Sequence, residues 1–477
     1  MRKSITAALL LFVISITWFA CVTQKPEYKP IRLPDDGNKE QKYPPFKKDE
    51  ILIFFKGAAD EGKSKRIKDS LFAAGIDTAQ LKIRKCNSCD PYVELWQGPN
   101  IHTVISGGGI TGGSGGKTRG VGEDDMAWYS VNYINEIPEG NPRQNKPLEK
   151  TKIIPAVTGA GKDTITIAIL DTGIDTVNWV TGAHLWTNND KKDNSDNDNN
   201  CYIDDTNGWN FIDSNNNIND DNPAIHGSII SQYIINEFAH STKNFVQLMV
   251  LKTHDKLGRG DLFTNLCAVN YAIKKGANII NASWGFYYYY DAPNKVLSQI
   301  ITDSLKARGI LFIAAAGNQT TESDAEAQAI YQQQNPGVQL PAYILRNLEY
   351  HSFYPAILSN QGTNVITVTT SSNDTVSRTQ NYSSKFVDLS VIGDVMLPSG
   401  AMHFKAPFEG NTTRTLSGSS FATAIASGKI GAFLSKSAYT PGIDKINCFN
   451  NLSSIINNSN DLKTKNLVND GRYIKRE

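Results

Sequence analysis

The chain has 477 residues, a formal net charge of +1 and 40% hydrophobic residues. That length holds one large domain and a smaller one. The near-neutral balance gives no support to a nucleic-acid or polyanion partner.

Met1-Arg2-Lys3 followed by the apolar run Ala7 to Ala20 reads as an export signal over residues 1–20. The run falls short of the ~20 apolar residues that a membrane helix needs. Cys21 follows directly and predicts a bacterial lipoprotein signal with Cys21 acylated, although Trp18-Phe19-Ala20 is bulkier than such signals usually are. The expected location is the cell envelope, or otherwise secreted or periplasmic, with a lipid anchor as the membrane contact. Residues 21–47 are a polar, proline-containing linker. Of the six cysteines, Cys86 and Cys89 form a C-x-x-C expected to close as a local disulfide, because a metal site would need two more ligands nearby. With Cys21 acylated, Cys201, Cys267 and Cys448 are an odd set, so at least one is expected as a buried free thiol.

Residues 48–135 read as a small α+β module. Its predicted elements are a strand at Ile51–Lys56, a helix at Glu61–Ala74 with Ile67, Leu71 and Phe72 inward, and strands at Leu81–Lys85, Tyr92–Trp96, Ile101–Ile105 and Ala127–Ile134. Residues 107–122 are a glycine-rich linker or loop.

Residues 150–477 alternate buried strands with amphipathic helices. The strands are expected at Ile165–Leu170, Phe245–Lys252, Ala277–Ala282, Ile310–Ala316, Asn364–Thr369 and Phe386–Val391. Helices are expected at His226–Phe238, Leu262–Lys275 and Asn294–Arg308, with a last helix at Ile443–Asn457 and a strand at Leu467–Ile474. This is the pattern of an α/β domain: a parallel sheet covered by helices on both faces, three layers in all, with ligands bound at the carboxyl ends of strands. Two insertions interrupt it. Asn188 to Asp221 is dense in Asp and Asn, and Ser323 to Arg346 is a Gln/Ala-rich surface segment with some helix.

Four motifs carry the chemistry. An apolar strand ends in Asp171-Thr172-Gly173; His226-Gly227 opens a helix; a second strand ends in Ala316-Gly317-Asn318; and Ser417-Gly418-Ser419-Ser420 precedes an alanine-rich helix. A nucleophilic serine needs a base, and the base needs an orienting carboxylate. The order Asp, His, Ser is that of subtilisin. Over roughly residues 150–475 the chain resembles the subtilisin-like serine proteases, the subtilases. The resemblance implies a serine endopeptidase acting on protein or peptide substrates, with Ser420 as nucleophile, His226 as base, Asp171 as its orienter and Asn318 as oxyanion donor. No cofactor is required for that chemistry. It further implies that Ser283, Trp284 and Gly285 present the strand edge on which substrate pairs, with Gly317 near the residue whose carbonyl is attacked. Trp284 stands where a smaller residue is common, so a reshaped pocket is expected. The module at 48–135 resembles the inhibitory propeptide of these enzymes; it is expected to be cut off between Ile134 and Lys162, to separate, and to inhibit in trans. Asp196, Asp198, Asn200 and Asp204 resemble a calcium-binding loop in which Cys201 replaces the turn glycine; the alternative is a solvated Asn/Asp-rich loop. The rival overall reading is a protease-shaped peptide-binding protein that does not cut.

Overall fold

The computed structural model describes residues 28–33, 45–105, 121–123, 126–137, 159–176, 182–239, 241–290, 293–407 and 414–475. The export signal, Cys21, most of the linker, the glycine-rich stretch as far as Gly120 and most of the expected cleavage stretch lie outside the described residues.

The N-terminal module contains β1 (Phe46–Phe55), α1 (Glu61–Ala73), β2 (Lys82–Lys85), β3 (Val93–Gln97), β4 (Val121–Glu123) and β5 (Ala127–Glu136). Its strands form an antiparallel sheet in the order β2-β3-β1-β5-β4. Asp60 caps α1 by accepting the Lys63 N–H. The helix buries Ile67 and Leu71, but Phe72, expected inward, is exposed: it lies a further 100° round the helix from Leu71. Ile101–Val104 is a 3-10 turn rather than a strand, because Asn100 takes a left-handed conformation at φ 55° and turns the chain.

The larger part begins with β6 (Asp163–Asp171), β7 (Gly208–Asn210), α2 (His226–Phe238), β8 (Asn244–Lys252), β9 (Arg259–Asp261), α3 (Leu262–Lys274), β10 (Ile279–Ala282) and β11 (Phe286–Tyr287). The predicted helix at Asn294–Arg308 is α4 (Lys295–Ser298), a π turn and α5 (Leu305–Ala307). Then come β12 (Leu311–Ala315), α6 (Thr321–Gln334), α7 (Ala342–Leu345), β13 (Phe353–Tyr354), β14 (Val365–Ser371), β15 (Leu389–Ile392), and the small strands β16 (Val395–Met396), β17 (Met402–Lys405) and β18 (Thr415–Leu416). The chain closes with α8 (Ser419–Phe433), α9 (Lys445–Asn451), β19 (Ile456–Asn458), α10 (Leu462–Lys465) and β20 (Arg472–Ile474). The expected helix at Ile443–Asn457 is thus only the short α9, followed by β19.

The main sheet runs β19-β20-β15-β14-β12-β10-β6-β8-β7, parallel throughout except for β19 against β20. Side chains alternate across it. Ile165, Ile167 and Ile169 of β6 and Val246, Leu248 and Val250 of β8 face α2 and α8. Ala168 and Leu170, with Met249 and Leu251, face α3. Both faces are therefore buried, which is why these strands read as near-continuous apolar runs.

The module packs on the α3 face and shares its hydrophobic core: Leu52, Val131 and Tyr133 lie in one cluster with Phe263, Leu266 and Phe286. Tyr133 stacks on Phe286 with ring centroids 4.9 Å apart. Strand β5 also pairs with β9, Ile134 against Asp261, and so joins the two parts through their backbones. The insertion at Ser323–Arg346 has a role that its composition did not reveal. It folds as α6 and α7, which clasp residues 28–33; Ile31 is fully buried against Ile330 and Ile344, and its N–H donates to the Tyr350 carbonyl at 2.7 Å.

The cysteine pairing differs from expectation. Cys86 bonds Cys267 on α3, and Cys89 bonds Cys201 in the acidic insertion. The turn after β2 faces the larger part, so each thiol meets a partner there before it meets the other. Cys201 takes φ 68°, the left-handed turn conformation usually given to glycine. Cys448 is the buried free thiol. Digestion of unreduced protein with trypsin should therefore yield one peptide carrying both Cys86 and Cys89, joined to the peptides of Cys201 and Cys267. A closed Cys86–Cys89 peptide in the mass spectrum would contradict this pairing.

Candidate active site

Asp171 ends β6 and is fully buried. Its backbone carbonyl accepts the N–H groups of Thr253 and His254, which fixes the strand end. His226 opens α2, and its Nδ1 lies 2.9 and 3.0 Å from the two carboxylate oxygens of Asp171. A carboxylate at that nitrogen makes Nδ1 the protonated one and Nε2 the basic one. Nε2 is buried and has no hydrogen-bond partner among the described residues. The approach of helix to strand requires Gly227: a Cβ there would fall 2.1 Å from the Gly173 carbonyl oxygen. Ile225, at φ 48°, makes the sharp entry into α2 and offers no side-chain cap.

Asp220 supplies what Ile225 lacks. Its Oδ2 accepts the N–H (3.0 Å) and hydroxyl (2.7 Å) of Ser228, and its Oδ1 accepts the hydroxyl of Thr172 at 2.9 Å. Thr172 also donates its N–H to Asp171 at 2.8 Å. A second carboxylate thus ties the first turn of α2 to the residue after Asp171. Burial pushes its carboxyl up to about 6, against the pull of the Ser228 donors, and the Asp171 charge adds to the rise. Sequence reading missed Asp220 because it lies in an Asp/Asn-rich stretch; its one signal is its place shortly before a helix with Ser228 in the first turn.

Ser420 is the second residue of α8, where a backbone N–H has no intrahelical partner. Its hydroxyl donates to the Ser283 carbonyl at 3.4 Å, and the Ser283 hydroxyl donates to the Ser420 carbonyl at 3.3 Å. Phe421, the next residue, has its ring 5.6 Å from the His226 imidazole. The Asn318 carboxamide oxygen accepts the N–H (2.9 Å) and hydroxyl (3.1 Å) of Ser419, which leaves its Nδ2 as the outward donor. His226, Asn318, Gly418 and Phe421 line a cavity of about 490 Å³ that Ile137 and Leu257 also border. Four distant motifs are therefore brought together around one cleft, at the carboxyl ends of β6 and β12: His226 and Asn318 line it, Asp171 lies behind His226, and Gly418 and Phe421 flank Ser420 at its border.

The subtilase family (peptidase S8) matches residues 162–462. The chain belongs to the subtilase family. Subtilisin-like protease 1 of Plasmodium falciparum (isolate 3D7) is 30% identical over 284 residues, 54% of this chain and 35% of that protein. Subtilisin-like protease 1 of Plasmodium berghei (strain Anka) is 29% identical over 224 residues, 44% of this chain and 33% of its own. The matched part of this subtilase thus spans about a third of those relatives. Among solved structures, the epidermin leader peptide processing serine protease from Staphylococcus aureus aligns with 89% of this chain and 96% of its own, at 14% identity and a TM-score of 0.49.

The predicted substrate edge is only partly as expected. The backbones of Ser283 and Gly285 border the site, but the side chain of Trp284 points away, into the core beside His254. An edge residue's side chain goes to one face of the strand, and here that face is the buried one, so Trp284 does not reshape the cleft.

The four predicted calcium ligands are turned to their own loop. Asp196 accepts the N–H groups of Asn200 and Cys201, and Asp204 those of Asp193 and Asn194. Asn200 is held by Tyr202 and Asp205, and Asp198 pairs with Lys275 and Asn188. Among the described residues no three acidic, His or Cys side chains come together to hold a metal ion. Backbone amides and Lys275 thus offset much of the charge that a cation was expected to neutralise, while Asp198 Oδ1 is buried with no hydrogen-bond partner among the described residues. Thermal melting should give the same midpoint in EDTA and in millimolar calcium. A higher midpoint in calcium, abolished by Asp196→Asn with Asp198→Asn, would instead show that the loop binds the cation.

Proposed function

We propose that this subtilase is a serine endopeptidase that uses Ser420, His226, Asp171 and Asn318. The observation that carries this is the two-oxygen contact of Asp171 with His226 Nδ1, which frees Nε2 as a base beside the α8 N-terminus. A groove that only bound peptide would need edge donors, not an oriented base. In the reaction, a turn about the Ser420 Cα–Cβ bond brings its hydroxyl from the Ser283 carbonyl to Nε2. Nε2 takes the proton as Oγ attacks the peptide carbonyl carbon, and Asp171 stabilises the imidazolium. The carbonyl oxygen becomes an oxyanion held by Asn318 Nδ2 and the Ser420 N–H; such a donor is worth about 3–4 kcal/mol of barrier. The imidazolium then protonates the leaving amine, and water hydrolyses the acyl-enzyme by the same route.

The module at 48–135 fits the role of an inhibitory prosegment, because β5 leads straight into the cleft: Glu136 pairs with Gly285, and Ile137 donates its N–H to the Gly258 carbonyl. Cutting after it, within residues 138–158, would open the site. The two disulfides change the expected outcome, since they bridge the module to the peptidase domain. We therefore propose a cut but retained module rather than one that separates and inhibits in trans. Export, an acylated Cys21 and the lipid anchor belong to the same proposal, resting on the N-terminal sequence.

One gel tests the chemistry and the retention together. A fluorophosphonate probe should label wild-type protein and not Ser420→Ala, whose turnover should fall by roughly 10⁶. The labelled band should run at full size without reductant and at reduced size with it. Absence of label in wild type would defeat the enzyme reading, and a short labelled band without reductant would defeat retention.

A further inference from the structure

The end of β5 serves as a ruler for any extended peptide in the cleft, on the peptidase reading above. Glu136 and Gly285 exchange both backbone hydrogen bonds at 3.3 Å, in antiparallel register. Two residues further along such a peptide, the register reaches Ser283. The Ser283 carbonyl is where the Ser420 hydroxyl now rests. The peptide residue opposite Ser283 is thus the one whose carbonyl Ser420 attacks.

The space for that residue's side chain lies between two neighbouring strand ends. β10 and β12 pair in parallel, and beyond them run Trp284-Gly285 and Ala316-Gly317. Two glycines facing one another would leave an open slot. Here the slot is filled. A Cβ on Gly285 would fall 2.3 Å from Phe353 Cε1, and one on Gly317 would fall 3.0 Å from both Cδ1 and Cε1 of that ring. One edge of a single phenyl ring therefore meets both glycines.

Phe353 is held there firmly. It pairs through β13 with Tyr287 of β11, and the two rings meet edge to face at 5.0 Å. The Tyr287 hydroxyl donates to the Asn318 carbonyl at 3.1 Å, and Asn381 Nδ2 donates to the Ala316 carbonyl at 2.9 Å. Phe353 is 4% exposed. The 490 Å³ cavity bordering His226 and Asn318 is lined by neither Gly285, Gly317 nor Phe353.

We infer that Phe353 sets the substrate specificity of this site, by filling the slot between Gly285 and Gly317 that would receive the side chain of the residue being cleaved after. The site accepts Gly, Ala or Ser there and rejects Leu, Phe and Tyr. Seating a large side chain would mean displacing a packed ring, whereas each missing methylene of a small one forfeits only about 1–3 kcal/mol of binding.

The test uses one peptide series that differs only at that residue, Ala, Leu or Phe, cleaved by the full chain. Wild type should favour Ala over Phe by ~10²-fold or more in kcat/KM, and Phe353→Ala and Phe353→Gly should narrow that ratio by at least ~10-fold through faster cleavage of the Phe peptide. Phe353→Leu, which keeps an apolar filler, guards against misfolding and should retain the preference for Ala. Wild-type cleavage after Phe as fast as after Ala, or an unchanged ratio in variants that still turn over the Ala peptide, overturns the inference alone. Wild type inert on every peptide and unlabelled by fluorophosphonate overturns the peptidase reading and this inference with it.

Discussion

The contact between the Asp171 carboxylate and His226 Nδ1 is the constraint on which the rest of the site depends. A strand end and a helix start must approach closely enough for a Cβ at residue 227 to be impossible, and they must be held there against thermal motion. Asp220 does the holding, with hydrogen bonds to the first turn of α2 and to Thr172. Bonds to a charged acceptor of this kind contribute about 1.5–3 kcal/mol each, enough to offset the missing cap at Ile225. The parallel sheet then sets the remaining geometry. β10 lies between β6 and β12 and pairs with both, so Ser283 emerges beside Asp171, and Asn318 one strand further along, with no further device.

The N-terminal module is less an appendage than a second wall of the same core. It contributes a sheet face to the hydrophobic cluster over α3, a strand to β9 and two disulfides, while residues 28–33 are clasped separately by α6 and α7. Removing a buried aromatic such as Tyr133 from an interface of this kind costs about 3–5 kcal/mol. A single cut in residues 138–158 would leave all of these contacts in place.

How much of this was legible in the sequence follows from how local each signal is. The four motifs were legible because each ends or begins an element of strong period: Asp171 closes an unbroken apolar strand, and Ser420 opens an alanine-rich helix. Their order then gave the fold. The partners of Cys86 and Cys89 were not legible, since no local pattern says which way a turn faces. Asp220 was hidden by its composition, one carboxylate among many that looked solvated or metal-bound. Phe353 is the sharpest case. Gly285 and Gly317 by themselves read as an open slot, and the ring that fills it arrives from a two-residue strand distant in sequence from both. The insertion at Ser323–Arg346 showed a helix-forming composition but not its cargo, because the strap it clasps lies some 300 residues earlier.

The site requires His226 to be held by Asp171 with the proton on Nδ1, and proton NMR of the imidazole reports this directly. Wild-type protein and Ser420→Ala should each show a strongly downfield Nδ1 proton resonance, and Asp171→Asn should lose it. A spectrum without that resonance in folded wild-type protein, or one unchanged by Asp171→Asn, would contradict the account.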